Sequence, residues 1–255
     1  MELKDRKVVV VGFGRTGQAV CDFLLSQGAN ITVSDKKLES ELERVEIYRA
    51  KGINFDTGAN RLETLLEADL VVLSPGVPPL PEVLAARGKG IRVISEIELA
   101  FPYLRGKLIG ITGTNGKSTT TTLIYLMLKK AGFRVHLTGN IGHPLISFIN
   151  KVKPGHLVVT ELSSFQLEFT EKFRTDIAVF LNLSPNHLDW HQTFEAYLQA
   201  KKKLLDHCHP DDQVIINRDD PHLWAWRQEK KQELYAFSRK HSVPRGCYLQ
   251  GSKII

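Results

Sequence analysis

Cysteine is scarce in this chain, and the little there is has no pattern. Cys21, Cys208 and Cys247 are odd in number and irregularly spaced, which argues against a disulfide framework and against the paired spacing of structural zinc sites. No apolar run approaches the roughly 18 residues needed to cross a bilayer. The start, Met1-Glu2-Leu3-Lys4-Asp5, lacks a basic-then-apolar signal segment. A reducing cytosol is therefore the expected compartment, with no membrane partner. Aromatic residues are few, at 8%, and do not interleave with basic ones, so the net charge of +6 is not read as a nucleic-acid surface. That charge is also uneven. Residues 1–103 carry 13 Lys and Arg against 15 Asp and Glu, whereas the remainder carries 21 against 13. The basic excess lies in the second part, where it attracts a polyanionic nucleotide, is a solvated basic surface, or reflects the imbalance of an incomplete domain.

What is present is ordinary globular material, with 42% apolar and 24% charged residues over 255 positions, enough for two domains with a core each. Short β-branched runs alternate with helical stretches. Lys7 to Val11 reads as a buried strand and Thr16 to Gln27 as a helix with Val20, Phe23 and Leu24 inward. Ile31–Ser34, Asp69–Leu73 and Ile91–Ile94 supply further strands, with a charged helix expected over Glu39–Lys51. The pattern restarts at Lys107–Thr112, a strand feeding a loop and a long helix from Ser118 to Ala131. Later strands are expected near residues 135–138, 157–160, 177–181, 214–216 and 234–237, and more strand material in Cys247–Ile255. Such alternation implies parallel, doubly wound sheets. The expected architecture is α/β: a Rossmann-like domain over residues 1–103, then a P-loop-type ATPase domain over 104–255, joined near Phe101–Gly106. The second domain is expected to be unfinished.

Two glycine loops stand at the heads of the two halves. Gly12-Phe13-Gly14-Arg15-Thr16-Gly17 fits G-x-G-x-x-G between a strand and a helix, where backbone approaches a phosphate closely. Asp35 lies 18 residues beyond Gly17, at the end of the second strand, where a carboxylate binds a ribose hydroxyl or a base N–H. Alone, this pattern suggests a nicotinamide dinucleotide and an oxidoreductase, although the first domain has little room for two mononucleotide halves. Gly113-Thr114-Asn115-Gly116-Lys117-Ser118-Thr119 is the stronger signal. It misses the strict Walker spacing by one residue, since Gly110 and not Ile111 is the preceding glycine. Its chemistry is intact: backbone N–H groups for phosphate oxygens, Lys117 as a point charge, and the Ser118 hydroxyl for magnesium. A P-loop kinase or switch NTPase would use the same parts.

Beyond the loop, Glu161 ends the apolar run Leu157–Val159, at the carboxyl end of a strand and well placed for magnesium. His187 and His191 make an H-x-x-x-H pair, but Asp189 and Ser184-Pro185 favour a loop over a zinc-binding helix. In the run Lys201-Lys202-Lys203, helical phase groups Lys201 with Phe194, Tyr197, Leu198, Leu204 and Leu205. Lys201 is thus expected to be buried and prone to lose its charge, with Lys202 and Lys203 solvated.

The phosphate loop, Gly139-Asn140-Ile141-Gly142, Glu161-Leu162-Ser163-Ser164-Phe165-Gln166-Leu167-Glu168 and Asn186-His187-Leu188-Asp189 together resemble the Mur ligases, ATP-dependent amide-forming enzymes of peptidoglycan precursor synthesis. The Glu161–Glu168 string is similar to the D-glutamate-adding branch, and the resemblance covers the whole chain. It implies ATP and two magnesium ions as cofactors. Glu161 and Ser118 would hold the first ion, and His187 with a carbamylated Lys201 the second. Lys117, Glu161, His187 and Lys201 would carry the chemistry. It also implies UDP-N-acetylmuramoyl-L-alanine as substrate, with D-glutamate as the incoming amine. Arg15 and Thr16 would lie by the diphosphate and Asp35 and Lys36 by the uracil. Ser74, Pro75 and Gly76 would line that pocket, while Asn140, Ser163 and His187 would meet the muramoyl end. Relatives often carry Asp at the position of Asn186, so no charge role is assigned there. The family's third, amino-acid-binding domain has no residues here. The chain is accordingly expected to be a monomer that binds the UDP-substrate and, weakly, ATP, without turnover by itself.

Overall fold

The computed structural model describes residues 2–77, 80–229 and 233–255, in two compact units. The first unit comprises Met1–Leu104 together with His143–Asn150 and Phe169–Glu171. Its sheet contains β1 (Lys7–Val11), β2 (Asn30–Asp35), β3 (Asn54–Thr57), β4 (Leu70–Leu73) and β5 (Val93–Ser95). The strands are all parallel, in the order β3-β2-β1-β4-β5. The valines of β1 and the Leu-Val-Val-Leu of β4 are buried on both faces, as interior strands of a parallel sheet must be. One face packs Val9, Val11, Val71, Leu73 and Val93 against Leu65, Val83, Ala86 and Phe169. Strand order reverses between β1 and β4, and the first glycine loop follows β1 at that switch point.

Three features of this unit depart from the sequence expectation. The helix expected over Glu39–Lys51 is broken into a 3-10 turn, Glu39–Glu41, and a short helix, Val45–Arg49, because Arg44 between them is left-handed at φ 66°. Strand β3 was not foreseen: Asn-Phe-Asp-Thr is half-exposed at the sheet edge and shows no apolar run. The domain division near residue 104 needs amendment too, since the later segments 143–150 and 169–171 belong to the first unit. The backbone N–H of Ile146 donates to buried Glu96, and that of Ser95 to the Phe169 carbonyl.

The second unit holds β6 (Lys107–Thr112), β7 (Val135–Gly139), β8 (Leu157–Glu161), β9 (Ile177–Phe180), β10 (Gln213–Asn217), β11 (Glu233–Ser238), β12 (Gly246–Gln250) and β13 (Lys253–Ile254). The order is β13-β12-β11-β10-β9-β6-β8-β7, parallel except for the β12–β13 pair. Cys247–Ile255 is strand material, as expected. The helix Lys117–Lys130 covers Ile109, Ile111, Val159 and Val179 through Ile124, Tyr125 and Leu128. Here the order reverses at β6, so the phosphate loop also emerges at a switch point.

Candidate functional site

In the first unit, the ends of β1, β2 and β4 form one cradle. Gly12 is left-handed at φ 90°, and a Cβ there would stand 2.6 Å from Val77 Cγ2. A Cβ on Gly17 would run into the Gly12 carbonyl oxygen. Both glycines are needed for the turn to fold back on the helix start. The Ser74 hydroxyl donates to that same carbonyl at 2.9 Å, tying the β4 turn to the loop. Asp35 accepts the Phe13 N–H at 2.8 Å and the Lys37 N–H at 3.0 Å, so its carboxylate already holds the loop in shape. Arg15 opens the helix Arg15–Ser26 and is exposed, with Thr16 half-buried beside it. Lys36 and Gly76 are exposed and Pro75 is half-buried. Sequence reasoning did not detect that Asp35 is engaged by backbone.

The second unit concentrates ionisable groups. In the phosphate loop, Gly113 and Gly116 take φ 152° and 79°, and Lys117 begins the helix and donates to the Thr114 carbonyl at 2.7 Å. Behind the loop, Glu161 is 1% exposed. One of its oxygens accepts the Ser118 hydroxyl at 2.6 Å and the other the Asn140 amide at 2.8 Å. The Asn140 backbone N–H also donates to the Glu161 carbonyl at 3.0 Å. That approach requires Gly139, at φ 102°, because a Cβ there would strike the Glu161 carbonyl. A buried carboxylate with a hydroxyl on one oxygen is a hard-oxygen donor set, the kind that magnesium shares with phosphate oxygens. Ser118 and Glu161 therefore fit that ion.

Lys201 comes off the helix Phe194–Asp206, 1% exposed, as its phase requires. It donates to the Thr112 hydroxyl at 3.3 Å and lies over the Tyr197 ring at 4.8 Å. Burial first, and then the Lys117 charge, lower its pKa to about 7 against the pull of Glu161. Burial lowers that of Lys117 as well, with Glu161 opposing. Half-buried Lys117 and buried Lys201 thus both feel the Glu161 charge, while burial disfavours their ammonium forms.

His187 is placed differently. It is exposed, left-handed at φ 52°, and caps the one-turn helix Leu188–His191, with its ring edge-on to Phe165 at 4.8 Å. The loop expected over this segment is therefore a short helix. His191 is buried, with Nε2 2.9 Å from the Ser164 hydroxyl. Its pKa falls to about 4 through burial, Lys201 and His187, against Asp189, so it is neutral at ordinary pH. Ser163 bonds within its own turn to Gln166. Lys203 is not simply solvated: its ammonium donates to the Glu168 carbonyl. Lys202 pairs with Asp206 at 3.0 Å. Sequence reasoning missed Asn182, which accepts the Asn115 N–H at 2.8 Å and donates to its carbonyl at 3.0 Å. It also missed Tyr197, whose hydroxyl is 2.9 Å from that of Thr114. No group of three or more metal-ligating His, Cys, Asp or Glu exists among the described residues.

Comparison with known proteins bears on both halves. Residues 6–95 match the family model of the Mur ligase MurD-like N-terminal domain, and residues 111–250 that of the Mur ligase middle domain. The chain is 42% identical over its whole length to the UDP-N-acetylmuramoylalanine–D-glutamate ligase of Koribacter versatilis (strain Ellin345), covering 56% of that protein. It is 39% identical to the enzyme of the same name from Pelobacter propionicus, covering 58%. The chain thus spans little more than half the length of these relatives. Among solved structures, it resembles in fold the UDP-N-acetylmuramate:L-alanyl-gamma-D-glutamyl-meso-diaminopimelate ligase from Neisseria meningitides. The TM-score is 0.58 at 17% identity, over 98% of this chain and 86% of that one. It also resembles a UDP-N-acetylmuramate-alanine ligase from Thermotoga maritima, with TM-score 0.51 at 21% identity, over 92% and 53%.

Proposed function

The chain belongs to the Mur ligase family, and from that premise we propose that it is the substrate- and ATP-binding part of a cytoplasmic D-glutamate-adding ligase of cell-wall precursor synthesis. The observation that carries this reading is the hydrogen-bonded set Ser118–Glu161–Asn140 behind a phosphate loop, with half-buried Lys117 and buried Lys201 close enough to feel each other's charge. An ordinary kinase loop would not need the second lysine. The nicotinamide alternative loses ground because the first half matches a ligase domain.

The first unit would hold UDP-N-acetylmuramoyl-L-alanine at its cradle, with Arg15 and Thr16 near the diphosphate and Asp35, Lys36, Ser74, Pro75 and Gly76 around it. In the second unit the N–H groups of residues 113–119 and the Lys117 ammonium would cradle the ATP phosphates. The alanyl carboxylate oxygen would attack the γ-phosphorus, with ADP as leaving group. The D-glutamate amine would then attack the acyl phosphate, forming the amide and releasing phosphate. Ser118 and Glu161 would hold magnesium, which supplies positive charge to the phosphate oxygens when bound. Asn140, Ser163 and His187 would face the substrate's amino-acid end. Lys201, with its lowered pKa, supplies a neutral amine that can add carbon dioxide to give a carbamate and a proton. That product, with His187, would serve the second ion. The chain would act as a monomer.

The test is MgATP binding by calorimetry on the purified chain, alongside phosphate release with both substrates. The reading expects MgATP binding that Lys117→Ala abolishes. Binding unaffected by Lys117→Ala would refute it.

A further inference from the structure

The phosphate loop contains the only Asn-Gly step in the sequence, Asn115-Gly116. Eight other asparagines are followed by Ile, Arg, Lys, Phe, Leu or His, whose side chains hinder attack by the following backbone nitrogen. Gly116 offers no such hindrance and is held at φ 79°, a left-handed conformation that favours glycine. Both residues are exposed. Asn182 grips the Asn115 backbone through its N–H and its carbonyl, leaving the Asn115 side-chain amide outside that clamp. The strongest chemical weak point of the chain therefore coincides with the loop that has to stay free of negative charge.

We propose that Asn115 is a deamidation site through which the phosphate loop is inactivated with age. The Gly116 backbone nitrogen attacks the Asn115 side-chain carbonyl carbon, forming a five-membered succinimide. The new C–N bond replaces the side-chain amide bond, and the amide nitrogen leaves as ammonia, carrying the Gly116 amide proton. Water then opens the ring to aspartate or isoaspartate, and no oxidant is involved. Either product places a carboxylate among N–H groups arranged for an anion and next to Lys117. The isoaspartyl product also reroutes the main chain through the former side chain. The carbonyl that Asn182 holds becomes part of a free carboxylate, and the clamp is lost.

The modification itself follows from loop geometry and sequence. Its consequence, loss of nucleotide binding with protection by bound nucleotide, rests on the function proposed above. The two are separable in one experiment. The folded chain is aged at physiological temperature and mildly alkaline pH, with and without MgATP, and the tryptic peptide spanning residues 108–117 is followed by mass spectrometry and by isoaspartate assay. We expect one mass unit to be gained there several-fold faster than in the peptides carrying Asn140, Asn150 or Asn186. Releasing the clamp with Asn182→Ala should accelerate the gain further. MgATP should slow it, and the aged fraction should lose MgATP binding. An Asn115 no faster than those other asparagines, in both the parent chain and Asn182→Ala, would overturn the proposal and leave the nucleotide reading untouched. Rapid gain that MgATP fails to slow would uphold the modification and count against the nucleotide reading.

Discussion

The two glycine loops are built alike and charged differently. Each follows an interior strand with parallel neighbours at the point where strand order reverses, and each opens a helix. In the first, the nearby acid is spent on backbone: Asp35 holds the Phe13 and Lys37 N–H groups. In the second, buried Glu161 and Lys201 and half-buried Lys117 act on one another, and the lysine pKa values are lowered. The shared turn supplies a place for phosphate. What the place does is decided by the buried charges behind it, because only those act at low dielectric on charge that develops in a reaction. On the proposed reading, the first loop is a cradle and the second a reaction site.

Removing the charges from the second loop should produce the largest effect. Lys117→Ala or Glu161→Gln is expected to weaken MgATP binding by about 10- to 100-fold, measured calorimetrically, with UDP-substrate binding unchanged. Damaging the first loop should do the opposite. Gly17→Ala forces a Cβ into the Gly12 carbonyl and should destabilise the first unit by about 1–3 kcal/mol. Denaturant unfolding would report this, together with loss of UDP-substrate binding and retention of MgATP binding. Equal losses of both ligands in either variant would erase the distinction.

Titration sharpens the comparison with smaller effects. The folded pKa of Lys201 lies near 7, below its ordinary 10.5, so its stability contribution is present above the ordinary value and is lost as pH falls through about 7. Lys201→Met should flatten that slope and raise stability near neutral pH by about 1 kcal/mol or more, measured as denaturation midpoints across pH. Glu96 in the first unit has the opposite sign. Burial raises its pKa from 4.5 to about 7 despite the Ile146 and Leu145 N–H groups. Its contribution is therefore full below 4.5 and lost as pH rises through about 7. Glu96→Gln should remove that decline and leave MgATP binding alone. A steeper decline in the variant would contradict the assignment.

Much of this was legible in the sequence, for identifiable reasons. Valine runs mark buried parallel strands, and helical phase alone put Lys201 inside, where it lies. The phosphate loop could be read from its motif and Glu161 from its place at a strand end, whereas Asn140 came only through the family resemblance. What was illegible depends on contacts distant in sequence or on single backbone angles. Strand β3 is polar because it sits at an edge, and the break at Arg44 is one left-handed residue. The attachment of 143–150 to the first unit rests on Glu96, some 50 residues earlier. Asn182 becomes important only because β9 lies beside β6. His191 was noticed as half of a metal-like pair, yet its partners are the Ser164 hydroxyl and the charges around it.

The division of labour between the loops is tested most directly by calorimetry of UDP-N-acetylmuramoyl-L-alanine, MgATP and NAD against the parent chain, Gly17→Ala and Lys117→Ala. The account predicts that the UDP-substrate binds the parent and Lys117→Ala but not Gly17→Ala, that MgATP binds the parent and Gly17→Ala but not Lys117→Ala, and that NAD binds none. NAD binding to the parent that Gly17→Ala abolishes would contradict it.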